Sequence, residues 1–220
     1  MHSALQVSYK GHALMIDCGA DWLRRIHRMR PEAIVLTHAH PDHAYGLKNC
    51  APCRVYATEP TWDLLRRFPL TRRTTIEPRR SFSIHALTLE AFPVEHSIRA
   101  PAVGYRIAAG ATTIFYVPDV VSIYDTHEAL NAIRLYIGDG ATLRRPILRR
   151  TGGFLVGHSP IRTQLTWCRD ERVPQALFTH CGSEIVRADA RKIARAVHDL
   201  GLDQGVDARI ATDAMELTLS

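Results

Sequence analysis

Short apolar runs alternate with amphipathic stretches along the whole chain. Ala33-Ile34-Val35-Leu36 is apolar at four consecutive positions, the pattern of a strand buried on both faces. Residues 3–9 and 12–17 read as a hairpin around Lys10-Gly11, and 54–57 as a further short strand. Strands over 83–92, 103–108 and 112–117 predict a meander that turns at Ala109-Gly110. Asp21 caps a helix through about Arg28, ended by Pro31, and Glu59-Pro60 starts another through Arg67. Ile161, Leu165 and Cys168 mark the buried stripe of a helix opened by Gly157-His158-Ser159-Pro160. Residues 188–200 carry Ile193, Ala194, Val197 and Leu200 on one face, with Gly201 as the cap. Strands over 208–212 and 215–219 close the chain. No linker, repeat or low-complexity stretch interrupts this order, which predicts one α/β domain over 1–220.

Composition narrows the setting. A chain of 220 residues with 46% hydrophobic positions can bury a sizeable single core. No apolar run approaches 18 residues and no signal-like segment opens the chain, so neither a membrane partner nor secretion is expected. A cytoplasmic location follows by default. Five cysteines, Cys18, Cys50, Cys53, Cys168 and Cys181, are odd in number and unevenly spaced, which argues against a disulfide framework. Cys50-Ala51-Pro52-Cys53 lacks a second pair and reads as a turn with two incidental thiols.

The net charge of +6 is almost wholly arginine, because Lys10, Lys48 and Lys192 are the only lysines. Arg144, Arg145, Arg149 and Arg150 cluster on one segment, and arginine forks suit phosphate oxygens. These four are the candidate phosphate-binding groups. Aromatic residues make up 7% of the chain, which offers few platforms for stacking single-stranded bases.

The chemistry concentrates in Thr37-His38-Ala39-His40-Pro41-Asp42-His43, directly after the 33–36 run. His38 and His40 leave the strand end with the same parity. Pro41 stops the strand, Asp42 is a candidate helix N-cap, and Asp42 and His43 face back to the same mouth. Imidazole and carboxylate together suit Zn²⁺, Mn²⁺ or Fe²⁺.

The His-x-His-x-Asp-His pattern resembles the metallo-β-lactamase fold superfamily, and the likeness continues in order along the chain. Met15-Ile16-Asp17-Cys18-Gly19 matches its first strand-end aspartate. Val94-Glu95-His96-Ser97 matches a third ligand histidine, Tyr116-Val117-Pro118-Asp119 a bridging aspartate, and Phe178-Thr179-His180 a final histidine. The resemblance implies an αββα sandwich of two mixed sheets flanked by helices. It implies two divalent ions, Zn²⁺ or Mn²⁺ before Fe²⁺, one held by His38, His40 and His96. The other would be held by Asp42, His43 and His180, with Asp119 between the two and Asp17 orienting a ligand histidine from behind. A hydroxide bridging the ions would be the nucleophile, with Asp42 beside it.

Gly157-His158-Ser159 and Gly104-Tyr105-Arg106 resemble the branch that includes RNase Z and the phosphoribosyl cyclic phosphodiesterase. In that branch a histidine placed like His158 protonates the leaving oxygen or stabilises the phosphate. The expected enzyme is therefore a metal-dependent phosphodiesterase acting on a small phosphodiester or an RNA end, with a homodimer among the expected states. The alternatives are a lactonase, thioesterase or β-lactamase acting on carbon esters or amides, and an RNA 3′-end nuclease. Three departures weigh against the tRNA enzymes. Tyr136-Ile137-Gly138-Asp139-Gly140 stands where they carry His-Glu-Ala-Thr, Val120 follows Asp119 in place of threonine, and no long glycine-rich arm is present. The usual first strand and glycine-rich loop are also missing, so a late start or a shortened form is expected.

Overall fold

Leu14, Ile16, Ala33 and Val35 leave their strands on one side and Met15 and Ile34 on the other, yet all six are buried. Strands apolar on both faces need cover on both. The computed structural model, which describes residues 2–219, supplies that cover in four layers. The first sheet contains β1 (Leu5–Tyr9), β2 (His12–Ile16), β3 (Ala33–Val35), β4 (Arg54–Ala57) and β5 (Arg73–Thr75), in chain order. β1 and β2 form the expected hairpin, with Tyr9 opposite His12, and β2 to β5 run parallel.

The second sheet begins with β6 (Phe82–Ile84), β7 (Leu87–Glu95), β8 (Ala102–Ala109), β9 (Thr112–Tyr116), β10 (Ser122–Ile123) and β11 (Leu135–Asp139). A separate hairpin of β12 (Ile147–Thr151) and β13 (Phe154–His158) intervenes before β14 (Gln175–Thr179) and β15 (Asp207–Ile210) complete it. β7, β8 and β9 form the antiparallel meander, after which β9, β11, β14 and β15 run parallel. Consequently β7, β9, β11 and β14 all point the same way.

Between the sheets lie Leu14, Ile16 and Val35 from one side and Leu89, Tyr105 and Ile137 from the other. The helices are α1 (Ile26–Met29), α2 (Pro41–Ala44), α3 (Glu59–Leu64), α4 (Thr126–Leu130), α5 (Ile161–Asp170), α6 (Ser183–Val186) and α7 (Ala190–Leu202). Trp62 of α3 packs outside the first sheet with Ile34 and Val55. Ile161 and Leu165 of α5 and Val197 of α7 cover Phe115, Tyr136 and Phe178 outside the second. Each such side chain contributes about 1.5–3 kcal/mol relative to exposure. The expected αββα sandwich is the observed fold.

Several elements differ from the sequence expectation. The helix over 21–28 is a 3₁₀ turn, Ala20–Trp22, followed by α1, because the Asp21 carboxylate accepts the His2 backbone N–H at 2.9 Å and caps nothing. The strand over 83–92 breaks into β6 and β7 at His85, which turns the chain with φ +52° where no glycine marks the turn. Asp189 caps α7 by accepting from Lys192 N, and Gly201 lies inside that helix rather than after it. A Cβ on Gly201 would meet the Val206 carbonyl oxygen at 2.4 Å. Residues 215–219 form no strand; Leu219 packs on the core between the sheets instead.

Candidate metal centre

The strand directions bring the chemistry to one edge of the sandwich. Asp17 follows β2, residues 37–43 follow β3, His96 follows β7, Asp119 follows β9, and His180 follows β14. Asp17 and His180 are held in the left-handed region, φ +61° and +52°, strain that clusters at sites whose surroundings fix the backbone. Gly19 is required where β2 leaves the sheet, since a Cβ there would lie 2.0 Å from the Asp42 carbonyl oxygen. Asp42 is the second residue of α2 rather than its N-cap. His40 holds the cap position and Pro41 opens the helix.

Three imidazole nitrogens converge without a carboxylate among them. His40 Nδ1 lies 2.9 Å from His38 Nε2 and 3.2 Å from His96 Nε2. The far nitrogens of two of these rings are occupied: His38 Nδ1 is 3.0 Å from Thr37 Oγ1, and His96 Nδ1 is 3.0 Å from the Gly157 carbonyl oxygen. Donation from Nδ1 leaves Nε2 with its lone pair facing the cluster. Burial pushes the pKa of His38 well down, that of His96 to about 4, and that of His40 down as well. All three are neutral ligand-type imidazoles at pH 7.

The neighbouring group mixes signs. Asp119 Oδ2 lies 2.6 Å from His43 Nε2 and 3.6 Å from His38 Nε2, and Oδ1 lies 3.0 Å from His180 Nδ1. His180 Nε2 is 3.0 Å from Asp42 Oδ2. Behind His43, Asp17 accepts Nδ1–H at 2.8 Å and the Thr37 backbone N–H at 2.8 Å, so Nε2 of His43 is aimed forward. Burial opposes charge on His43 and His180, but the facing carboxylates outweigh it and raise both. Burial likewise opposes the charge on Asp119 and Asp42; their imidazole partners win, taking Asp42 down to about 2 and Asp119 well below its ordinary value.

These residues fit divalent cations. His43 Nε2, His180 Nδ1 and both Asp119 carboxylate oxygens are buried without a hydrogen bond, although they lie close together. Unsatisfied buried polar atoms are costly, and atoms converging without hydrogen-bonding geometry are the arrangement a cation resolves. Three subsets of the cluster, His38–His40–His96, His38–His43–Asp119 and Asp42–His43–His180, each bring their ligand atoms within 4.8 Å of one another. A divalent ion would compete with protons for these nitrogens.

His158 ends β13 and stands on a strand, not on the helix cap its neighbours suggested. Its Nδ1 donates to Asp139 Oδ2 at 2.7 Å and lies 3.4 Å from Asp119 Oδ1. Gly157, at φ +134°, lets the hairpin close in, its N–H donating to the His96 carbonyl oxygen. Burial works against charge on His158, yet the Asp139 bond and the nearby carboxylates leave its pKa raised. Burial pushes the Asp139 carboxyl up.

Asp139 was passed over in the sequence, where its segment registered only as a departure from a known motif. It is fully buried and accepts from Val120 N and Ala141 N. Gln164 of α5, also unremarked in the sequence, accepts from Asp139 N and donates to Asp139 O and Ser159 O. A polar residue interrupting the buried stripe of α5 was the one available signal. Gly104-Tyr105-Arg106 is structural: Tyr105 Oη donates to the Leu36 carbonyl oxygen at 2.8 Å and Arg106 reaches the Ala129 carbonyl oxygen.

A cleft of about 480 Å³ opens beside the centre, lined by His158, His180, Thr142, Arg145 and Glu184 among others. Of the four candidate arginines, Arg145 borders it. Arg144 is exposed next to it, and Arg149 and Arg150 sit on the exposed strand β12.

A family model described as the beta-lactamase superfamily domain matches residues 12–181. Among solved structures, a diphosphatase from the PhnP family is 18% identical with a TM-score of 0.75, covering 100% of this chain and 85% of that one. The metallo-beta-lactamase fold protein YhfI from Bacillus subtilis is 14% identical (TM-score 0.72, 96% and 88% coverage). Human tRNase Z, short form, is 17% identical (TM-score 0.67, 100% and 93% coverage). No curated protein matches the chain.

Proposed function

The chain belongs to the beta-lactamase superfamily, and from that premise we propose that this metal-dependent hydrolase is a phosphodiesterase with a two-ion centre. The observation that carries the reading is the His158–Asp139 pair at 2.7 Å on the wall of the cleft that His180 also lines. An alkyl phosphodiester releases an alkoxide that departs poorly unless protonated, and a positioned acid beside the metal ligands would supply that proton.

In this reading His38 Nε2, His40 Nδ1 and His96 Nε2 would hold one ion and Asp42, His43 Nε2 and His180 the other, with Asp119 facing both groups. The ions, Zn²⁺ or Mn²⁺, would lower the pKa of water from about 15.7 toward about 7 and draw charge from phosphoryl oxygens. Asp17 and Thr37 keep the His43 and His38 rings turned toward the centre. Asp139 accepts Nδ1–H and stabilises the imidazolium form of His158, whose Nε2–H would pass its proton to the leaving oxygen. Arg145 is placed to pair with a phosphate oxygen. A cleft of about 480 Å³ suits a small diester better than a polymer, although an RNA end would present the same group. A diphosphatase and a tRNase stand among the similar folds, in keeping with phosphate chemistry.

The test is hydrolysis of 2′,3′-cyclic nucleotides and simple alkyl phosphodiesters, whose leaving group is an alkoxide, by protein loaded with Zn²⁺ or Mn²⁺, beside lactones and nitrocefin. Phosphodiester turnover that falls in His158→Ala at constant metal content supports the reading. Faster turnover of lactones or nitrocefin than of any phosphodiester, indifferent to His158, overturns it.

A further inference from the structure

Three strands that deliver the centre also carry metal-binding chemistry at their opposite ends. His12 opens β2, Glu32 immediately precedes β3, and His85 makes the turn before β7. We propose that His12, Glu32 and His85 form a separate, exposed site for a divalent transition-metal ion that clips the two sheets together at the edge remote from the catalytic cleft.

The geometry is convergent. His12 Nδ1 and His85 Nε2 each lie 2.9 Å from the same oxygen, Glu32 Oε2. The two rings stack with centroids 4.1 Å apart and planes 3° from parallel. The other carboxylate oxygen, Oε1, accepts the Ala13 backbone N–H at 3.4 Å, which fixes the direction of Oε2. All three ligand atoms fall within 4.8 Å of one another. Tetrahedral coordination at 2.0–2.1 Å places donor atoms about 3.4 Å apart, so each nitrogen–oxygen pair opens by about half an ångström and the stacked rings tilt to bring both lone pairs onto the ion.

The donor set selects the ion. Two imidazoles and one carboxylate favour Zn²⁺, Ni²⁺ or Cu²⁺ over Mg²⁺ and Ca²⁺, which prefer all-oxygen ligands. The side chains are 43%, 38% and 41% exposed, so water completes the coordination and the ion exchanges readily.

The consequence follows from topology. His12 and Glu32 belong to the first sheet and His85 to the second, so the three ligands meet only in the folded chain. An ion bound there stabilises the native state by mass action.

The test measures Zn²⁺ bound to the full chain at equilibrium with a fixed free concentration, by dialysis. Glu32→Gln and His85→Asn should each lose one equivalent of zinc relative to the wild type and keep the rest. In the wild type, Zn²⁺ but not Mg²⁺ should move the imidazole NMR signals of His12 and His85, a readout that survives if a variant folds poorly. Equal zinc content in all three proteins, or unmoved His12 and His85 signals at saturating Zn²⁺, overturns the proposal. Neither measurement reads hydrolysis.

Discussion

β2, β3 and β7 are each flanked by potential ligands at both ends, and the two ends behave differently. At the leading ends His12, Glu32 and His85 stand in water, where charge is screened and unpaired atoms are solvated. At the trailing ends Asp17, His38 and His43 are fully buried, and His96 nearly so. There solvent cannot satisfy them, and every nitrogen and oxygen must find a proton, a partner or a cation. The same residue types thus make an optional site at one edge and an obligatory one at the other. Burial, not ligand identity, sets that distinction.

The largest effect that could break this contrast is removal of the ions. Chelation should abolish turnover and restore it on re-addition, and should lower the thermal midpoint. At ion concentrations about 1,000 times Kd, the stabilisation lost is about 4 kcal/mol, readable by calorimetry. His158→Ala comes next: turnover should fall by about 10²–10⁴-fold while metal analysis stays level. Asp17→Asn should weaken metal binding by about 10–100-fold, because His43 loses the acceptor that orients it; a competition titration reads this directly.

Alkaline titration sharpens the burial argument on a group outside the ligand set. Burial, then the nearby Asp17, raises the Cys18 pKa from 9.0 to about 12. Above pH 9 the unfolded chain gives up that proton while the folded chain retains it. Stability should therefore decline between pH 9 and about 12 as pH rises, and a Cys18→Ser variant should decline less over the same range. The smallest effect belongs to the exposed edge: His12→Ala should change metal-free stability by no more than about 0.5 kcal/mol in a denaturant titration.

Much of the centre is legible from the chain because it is compact in sequence. His38 to His43 follow one strand, and the later ligands each end an apolar run. The partner of His158 is not legible, because Asp139 is an unremarkable strand-end carboxylate until the fold brings the ends of β11 and β13 together. Gln164 is hidden for a similar reason. It sits on the apolar stripe of α5, and only Asp139 and Ser159 beneath it explain a polar side chain there. The break at His85 leaves no trace either, since the turn uses a left-handed histidine instead of glycine or asparagine.

Hydrophobic patterning alone determined that this chain forms short strands and helices in alternation, because two-faced burial is written into each strand locally. It also set the candidate ligands Asp17, His96, Asp119 and His180 just past apolar runs. Tertiary structure decided which ends share an edge, which of them lose contact with water, and hence where imidazoles and carboxylates must accept cations. Parallel strand direction is a long-range property, and desolvation depends on every layer packed around a group rather than on its neighbours in sequence.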